Sequence, residues 1–103
     1  MTTITSLKDL IQKISNDGDR TSRMFPFLKI DFEIFLTGIN EASSIDILYY
    51  QYGNINGILQ TLYYTEFISE DEKNLLISEL DDLRNNRIEY IVSHMRFKTE
   101  EGD

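Results

Sequence analysis

The sequence contains no cysteine and no tryptophan, and only one proline, one histidine and one alanine in 103 residues. The absence of cysteine excludes disulfide bonds, thiolate metal sites and cysteine nucleophiles. No apolar run approaches the ~20 residues that a membrane-spanning helix needs, and the first residues lack the apolar stretch of a signal peptide. We therefore expect a soluble intracellular domain that contacts no membrane.

Basic residues are also scarce, with 10 Lys and Arg against 18 Asp and Glu, so that the net charge is −8. Binding to a phosphate backbone depends on cations that replace its counterions, so this balance disfavours direct contact with nucleic acid. Twelve Phe and Tyr residues provide material for a core, and the length predicts one domain over residues 1–103.

The first predicted helix runs from Leu7 to Ser15. Ser6 begins a capping box in which Asp9 reaches back over the first turn. One apolar stripe follows the helical repeat through Leu7, Leu10, Ile11 and Ile14. Turn-forming residues at 16–19 are expected to end this helix.

Residues 27–36 fit two interpretations. Their alternation of apolar and polar side chains is typical of a half-buried strand, but the same residues also form a helical stripe. Pro26 is well placed to open a helix and Gly38 to end one. We favour the helix because no second alternating run offers this segment a partner strand.

Two long helices are predicted over 45–64 and 69–97. The first begins at an N-cap in Ser43–Ser44, and the second begins at the capping box Ser69–Glu70–Asp71–Glu72. The connection over 65–68 is short, which favours an antiparallel helical hairpin. The sequence thus predicts an all-α fold of three to four helices built on this hairpin, with a disordered tail over 99–103.

Catalytic and metal-binding patterns are lacking. The only histidine, His94, has no carboxylate correctly spaced to orient it as a general base, and it suits interaction with a helix dipole instead. The acids at 70–72 are consecutive and therefore fan around a helix rather than converge. We expect no enzyme activity, no metal site and no cofactor.

Gly53 and Gly57 lie in the interior of the first long helix, where each glycine costs about 1 kcal/mol relative to alanine. They lie on one side of the helix, flanked by Asp46, Tyr50, Gln60 and Tyr64. The pair predicts close helix packing, either against another part of the same chain or against a partner or second copy. Tyr50 and Tyr64 lie off the apolar stripe, as an aromatic interface would require.

Charge is segregated along the second long helix. Residues 66–82 contain seven acidic side chains and one basic one, whereas residues 83–98 contain four basic side chains and one acidic one. This pattern complements the helix dipole, but it also suits a basic protein partner or antiparallel self-pairing. The predicted partner-binding residues are Glu70, Asp71, Glu72, Glu79 and Asp82, with Tyr50 and Tyr64 as aromatic anchors.

These observations favour a small, acidic, non-enzymatic protein-binding module. Fourteen isoleucines against one alanine are typical of an AT-rich genome, such as that of a low-GC bacterium or its phage. The composition resembles that of phage or mobile-element inhibitors and adaptors that act on a host protein in the bacterial cytoplasm. Anti-CRISPR inhibition, directed at a basic nucleic-acid-handling protein, is one instance. The alternative is a homodimeric structural or regulatory helical protein.

Overall fold

The computed structural model describes residues 4–16 and 27–102, with side chains described as far as His94. The described residues form four helices and no strand: α1 (Leu7–Asn16), α2 (Leu28–Glu41), α3 (Ile45–Tyr64) and α4 (Glu70–Gly102). The predicted all-α class is confirmed. Pro26 and most of the turn predicted over 16–19 lie outside the described residues.

The strand alternative for residues 27–36 is wrong, because α2 covers them from Leu28 onward. Leu28, Phe32 and Ile39 are buried on one side of this helix, whereas Ile30 and Ile34 are more than half exposed. A strand would have placed Ile30 and Phe32 on the same face. Gly38 does not end the helix, which continues for three residues to Glu41.

The predicted starts of α1 and α3 are confirmed by their caps. The Ser44 hydroxyl accepts a hydrogen bond from the Ile47 N–H at 3.2 Å, and α3 spans the predicted residues 45–64. At the start of α1, Ser6 Oγ accepts from the Asp9 N–H at 3.1 Å. The Asp9 carboxylate reaches back to the N–H and hydroxyl of Thr5 rather than to Ser6. These bonds lower the pKa of Asp9, the Thr5 hydroxyl having the larger effect.

The last helix is longer than predicted. The sequence indicated an end near Phe97 and a disordered tail over 99–103, but α4 continues through residue 102. No proline interrupts residues 97–102, and the first glycine after Gly57 is Gly102 itself. Among the side chains described, which reach His94, the last one of α4 that is buried in the core is Ile91.

Helices α3 and α4 lie side by side. The Lys73 ammonium lies 4.3 Å from the ring centroid of Tyr63, and the Arg84 guanidinium carbon lies 4.7 Å from that of Tyr52. The earlier residue of α4, Lys73, contacts the later residue of α3, Tyr63, whereas Arg84 contacts the earlier Tyr52. The two helices therefore run in opposite directions over this stretch. Tyr52 also donates a hydrogen bond to Asp81 Oδ1 at 2.6 Å.

The core lies where all four helices meet. Its fully buried large side chains come from every helix and are Leu7, Leu10, Phe32, Ile39, Leu48, Ile55, Leu59, Leu62, Leu76 and Leu80. Between α3 and α4 the chain turns at Glu66, which has a left-handed backbone conformation with φ of 64°. Directly after this turn, Phe67 and Ile68 are buried in the core.

Candidate protein-binding surfaces

The predicted acidic face of α4 divides into exposed and engaged carboxylates. Glu70, Asp71 and Asp82 are exposed. Glu72 and Glu79 are partly buried and bind the beginning of the described chain: Glu72 Oε2 accepts from the Ile4 N–H at 2.8 Å, and Glu79 Oε1 accepts from the Leu7 N–H at 3.0 Å. Within the chain, these two carboxylates therefore hold the start of α1 against α4.

Glu72 also completes the predicted capping box. Its Oε1 accepts from the Ser69 N–H at 2.8 Å, while the Ser69 hydroxyl accepts from the Glu72 N–H at 3.1 Å. Burial raises the pKa of Glu72, but the hydrogen bonds from the backbone of Ser69 and Ile4 outweigh burial and leave the pKa below its usual value. The sequence revealed the local cap but gave no signal for the second bond, whose donor is 68 residues away.

A second surface is the side of α3 that faces away from the core. We call Tyr50, Gly53, Gly57, Thr61 and Tyr64 the outer face of α3; all five are exposed. Tyr50 and Tyr64 are 66% and 77% exposed. The five residues fall within a narrow sector of the helix at 100° per residue, and none carries a charge at neutral pH. The exposed Asp46 continues the same side of the helix one turn before Tyr50.

Of the two alternatives for Gly53 and Gly57, close packing against another part of the same chain is not found. A Cβ built at either position meets no atom of the described residues within 4 Å. The close approach occurs instead at Gly38 of α2, where an added Cβ would lie 2.7 Å from Gln51 Cδ of α3. Spacing alone misled the prediction because it identifies a shared side but not whether a neighbour covers it.

A third surface is an open groove between α2 and α3 that the sequence did not indicate. We call it the α2–α3 groove; it has a volume of about 500 Å³ and is lined by Ile30, Glu33, Ile34, Thr37, Gly38, Glu41 and Gln51. Ile30 and Ile34 supply its apolar wall, and Glu33 and Glu41 supply negative charge. The exposed Phe27 lies on the same side of α2, one turn before Ile30.

The surroundings of His94 are local to its own helix. Its Nδ1 lies 2.8 Å from the carbonyl oxygen of Tyr90, and its ring stacks on the Tyr90 ring at a centroid distance of 3.7 Å. Arg87 continues this stack from the other side of Tyr90, with its guanidinium carbon 4.2 Å from the ring centroid. The Arg87 Nε also donates to the Ala42 carbonyl at 2.8 Å, which ties α4 to the end of α2.

Within residues 4–16 and 27–94, no three acidic or histidine side chains converge in a way that could hold a metal ion. None of the helices, over the part of the chain that the structure describes, is both long and apolar enough to cross a membrane. No protein-family model matches the chain, and no curated protein or solved structure is significantly similar to it.

Proposed function

We propose that this chain is a non-enzymatic protein-binding module that contacts a protein partner through the outer face of α3. The observation that carries the proposal is the exposure of Tyr50 and Tyr64 at the two ends of an uncharged helix face. Tyrosine is enriched in interfaces because it buries a large apolar ring while its hydroxyl keeps a hydrogen-bonding partner. Between the two rings, Gly53 and Gly57 leave open space for a partner.

The charge distribution supports a basic partner. Glu70 and Asp71 are exposed at the start of α4, six and seven residues after Tyr64, and the whole chain has a net charge of −8. Opposite charge speeds association and selects among partners. An inhibitor or adaptor of a basic nucleic-acid-handling host protein, encoded by a phage or mobile element, is the form of this function that we favour. Anti-CRISPR inhibition would be one such activity.

The test compares the wild-type chain with a Tyr50→Ser, Tyr64→Ser double variant as immobilised bait in a low-GC bacterial lysate. We expect a specific band that the double variant fails to retain. Tyr49→Ser is the matched control, because Tyr49 is 49% exposed on the same helix but lies outside the outer face. Equal retention by the double variant and the wild type would refute the assignment of this face.

A homodimer is the second candidate, and the spacing of the outer face favours it. Gly53 and Thr61 lie four residues before and after Gly57, and Tyr50 and Tyr64 lie seven residues before and after it. The face is therefore symmetric about Gly57 in its spacing. In an antiparallel two-fold pairing centred on Gly57, each tyrosine would meet the other tyrosine of the second copy. The five residues carry no charge, and the two copies of Asp46, one turn before Tyr50, would lie at opposite ends of this pairing, so two acidic copies could approach there.

A Gly57→Cys variant tests the dimer, because the natural chain has no cysteine that could react instead. Mild oxidation should link two copies through the introduced thiol if the two-fold axis passes there, since the bond requires Cα atoms within about 7 Å. Asn74→Cys, at an exposed position on α4, provides the control for random collision. A wild-type chain that sediments as a monomer at all concentrations tested would exclude the dimer without affecting the first candidate.

A further inference from the structure

The outward side of α2 is unusually apolar for an exposed helix surface. Phe27, Ile30 and Ile34 are 67%, 57% and 56% exposed, and their spacing places them on one side of the helix. This side lies opposite the buried Leu28 and Phe32. Contiguous exposed apolar side chains of this size mark interaction sites more often than scattered ones do.

Negative charge accompanies this apolar side. Glu33 and Glu41 line the α2–α3 groove beside Ile30 and Ile34, and no basic side chain is among the described residues that line it. The groove therefore offers apolar contact along its wall and carboxylates along its edge. A partner that complements it must present apolar groups next to cations.

The floor of the groove also restricts what can bind. It is formed where Gly38 of α2 meets Gln51 of α3. The Oε1 of Gln51 is buried and accepts no hydrogen bond from any described residue. Gln51 is the one amide side chain among the described residues that line the groove, so the lining there is polar but carries no cation.

The form of the partner follows from the backbone and from the openness of the groove. Both walls are helices whose backbone groups are bonded internally, so an extended strand would find no edge to pair with. A small molecule would remain largely exposed, whereas typical ligand sites bury most of the ligand surface. An amphipathic helix suits such a surface, because its apolar side chains recur every three to four residues as Phe27, Ile30 and Ile34 do.

We propose that the α2–α3 groove binds a basic amphipathic helix of a protein partner. The apolar stripe of that helix contacts Phe27, Ile30 and Ile34, and its lysine or arginine side chains pair with Glu33 and Glu41. The surface that it contacts runs along α2 from Phe27, one turn before the groove, to Glu41, which is about 21 Å at 1.5 Å per residue, so the bound helix spans about four turns. This surface is distinct from the outer face of α3, and its occupation does not depend on that face.

The probe is a fluorescein-labelled synthetic peptide of about 18 residues, an amphipathic helix of leucine and lysine about 27 Å long. Its binding is followed by fluorescence anisotropy. We expect the Ile30→Ser, Ile34→Ser variant to bind at least about tenfold more weakly than wild type, a difference of about 1.4 kcal/mol. The Glu33→Gln, Glu41→Gln variant should weaken binding several-fold, and added salt should reduce the effect of these two charges.

Two control variants separate groove binding from general attraction between opposite charges. Glu66→Gln, Glu89→Gln removes two exposed acids that belong to neither proposed surface, and Leu75→Ser removes an exposed apolar side chain from α4. Both should leave the affinity within about twofold, which corresponds to about 0.4 kcal/mol. A control peptide with every lysine replaced by glutamate should not bind. Circular dichroism of each variant confirms that the helical content is unchanged.

Equal weakening by the Glu33, Glu41 variant and by the Glu66, Glu89 variant would overturn the proposal, because it would indicate nonspecific charge attraction. Binding that survives the isoleucine replacements would overturn it as well. The Tyr50→Ser, Tyr64→Ser variant is tested with the same peptide. Loss of binding in that variant alone would place the peptide on the outer face of α3 and refute the groove while leaving the proposed function intact.

Discussion

The carboxylate of Glu72 accepts the backbone N–H of Ile4 at 2.8 Å and the backbone N–H of Ser69 at the same distance. One side chain therefore caps α4 and holds the segment before α1. Seven residues further along α4, Glu79 binds the Leu7 N–H, so two carboxylates on one side of α4 satisfy one amide before α1 and one at its first residue. Ile4 and Leu7 are almost completely buried beside these bonds.

Replacing Glu72 with glutamine should destabilise the fold. Glutamine keeps one acceptor oxygen of similar shape but loses the second acceptor and the charge, so the Ile4 and Ser69 amides cannot both be satisfied as before. We expect the free energy of unfolding to fall by about 1–2 kcal/mol, measured by urea denaturation. Glu70→Gln is the control, since Glu70 is exposed in the same turn. Equal effects of the two variants would mean that Glu72 acts only through the helix dipole.

The stability should also depend on pH through Glu72. Its pKa is lowered in the folded chain, so the unfolded chain binds more protons in the acid range and stability increases with pH there. The contribution is complete above the ordinary value of 4.5 and is lost as the pH falls through the lower folded value. The difference in stability between wild type and Glu72→Gln should therefore shrink between about pH 6 and pH 3. A constant difference over that range would contradict this assignment.

Local patterns predicted the local features of this fold well. The limits of α3 follow from the Ser44 cap and a stripe of apolar residues, and the capping box at Ser69 lies where the sequence placed it. These features depend on residues within a few positions of each other. Such interactions are encoded directly in spacing.

Contacts between distant segments were not predictable in this way. The α2–α3 groove lies where Gly38 of α2 meets Gln51 of α3. The spacing of residues within either helix does not indicate that these two helices pack together there. For the same reason, Glu72 and Glu79 were grouped with the exposed acids although the chain uses them internally. The pattern of residues 27–36 fitted both a strand and a helix because Ile30 and Ile34 are apolar although they are exposed. Apolar side chains therefore did not mark only the buried positions of this segment.

Tyr52 should contribute to stability through its hydroxyl. The hydroxyl donates to Asp81 Oδ1 at 2.6 Å, and the Arg84 side chain lies near both groups. Tyr52→Phe removes the donor and leaves the partly buried carboxylate without it, so we expect a loss of about 1–2 kcal/mol in urea denaturation. Tyr49→Phe is the matched control, because the Tyr49 hydroxyl makes no hydrogen bond to the described residues and should change stability little.

The hydrogen bond between Tyr52 and Asp81 also predicts that the stability of the fold depends on pH in the alkaline range. Burial raises the pKa of Tyr52 above 10.0, and the hydrogen bond and negative charge of Asp81 raise it further. The folded state therefore favours the protonated phenol. The advantage of wild type over Tyr52→Phe should be complete below pH 10 and decrease as the pH rises through the folded value. If the stability advantage of wild type over Tyr52→Phe grew as the pH rose above the folded pKa of Tyr52, the hydrogen bond from the phenol to Asp81 would be contradicted.

The helical glycines should respond in opposite ways to alanine. Gly53 and Gly57 have open space at the Cβ position, so alanine adds helix propensity without a clash and should stabilise the fold by about 0.5–1 kcal/mol at each position. At Gly38 the new methyl would lie 2.7 Å from Gln51 Cδ, so the displacement of Gln51 should cancel this gain or reverse it. Thermal unfolding of the three variants at low protein concentration measures the contrast. Destabilisation by Gly57→Ala under these conditions would mean that a backbone packs there within the chain. A variant that is more stable when dilute but associates less when concentrated would instead match the two-fold pairing on the outer face of α3.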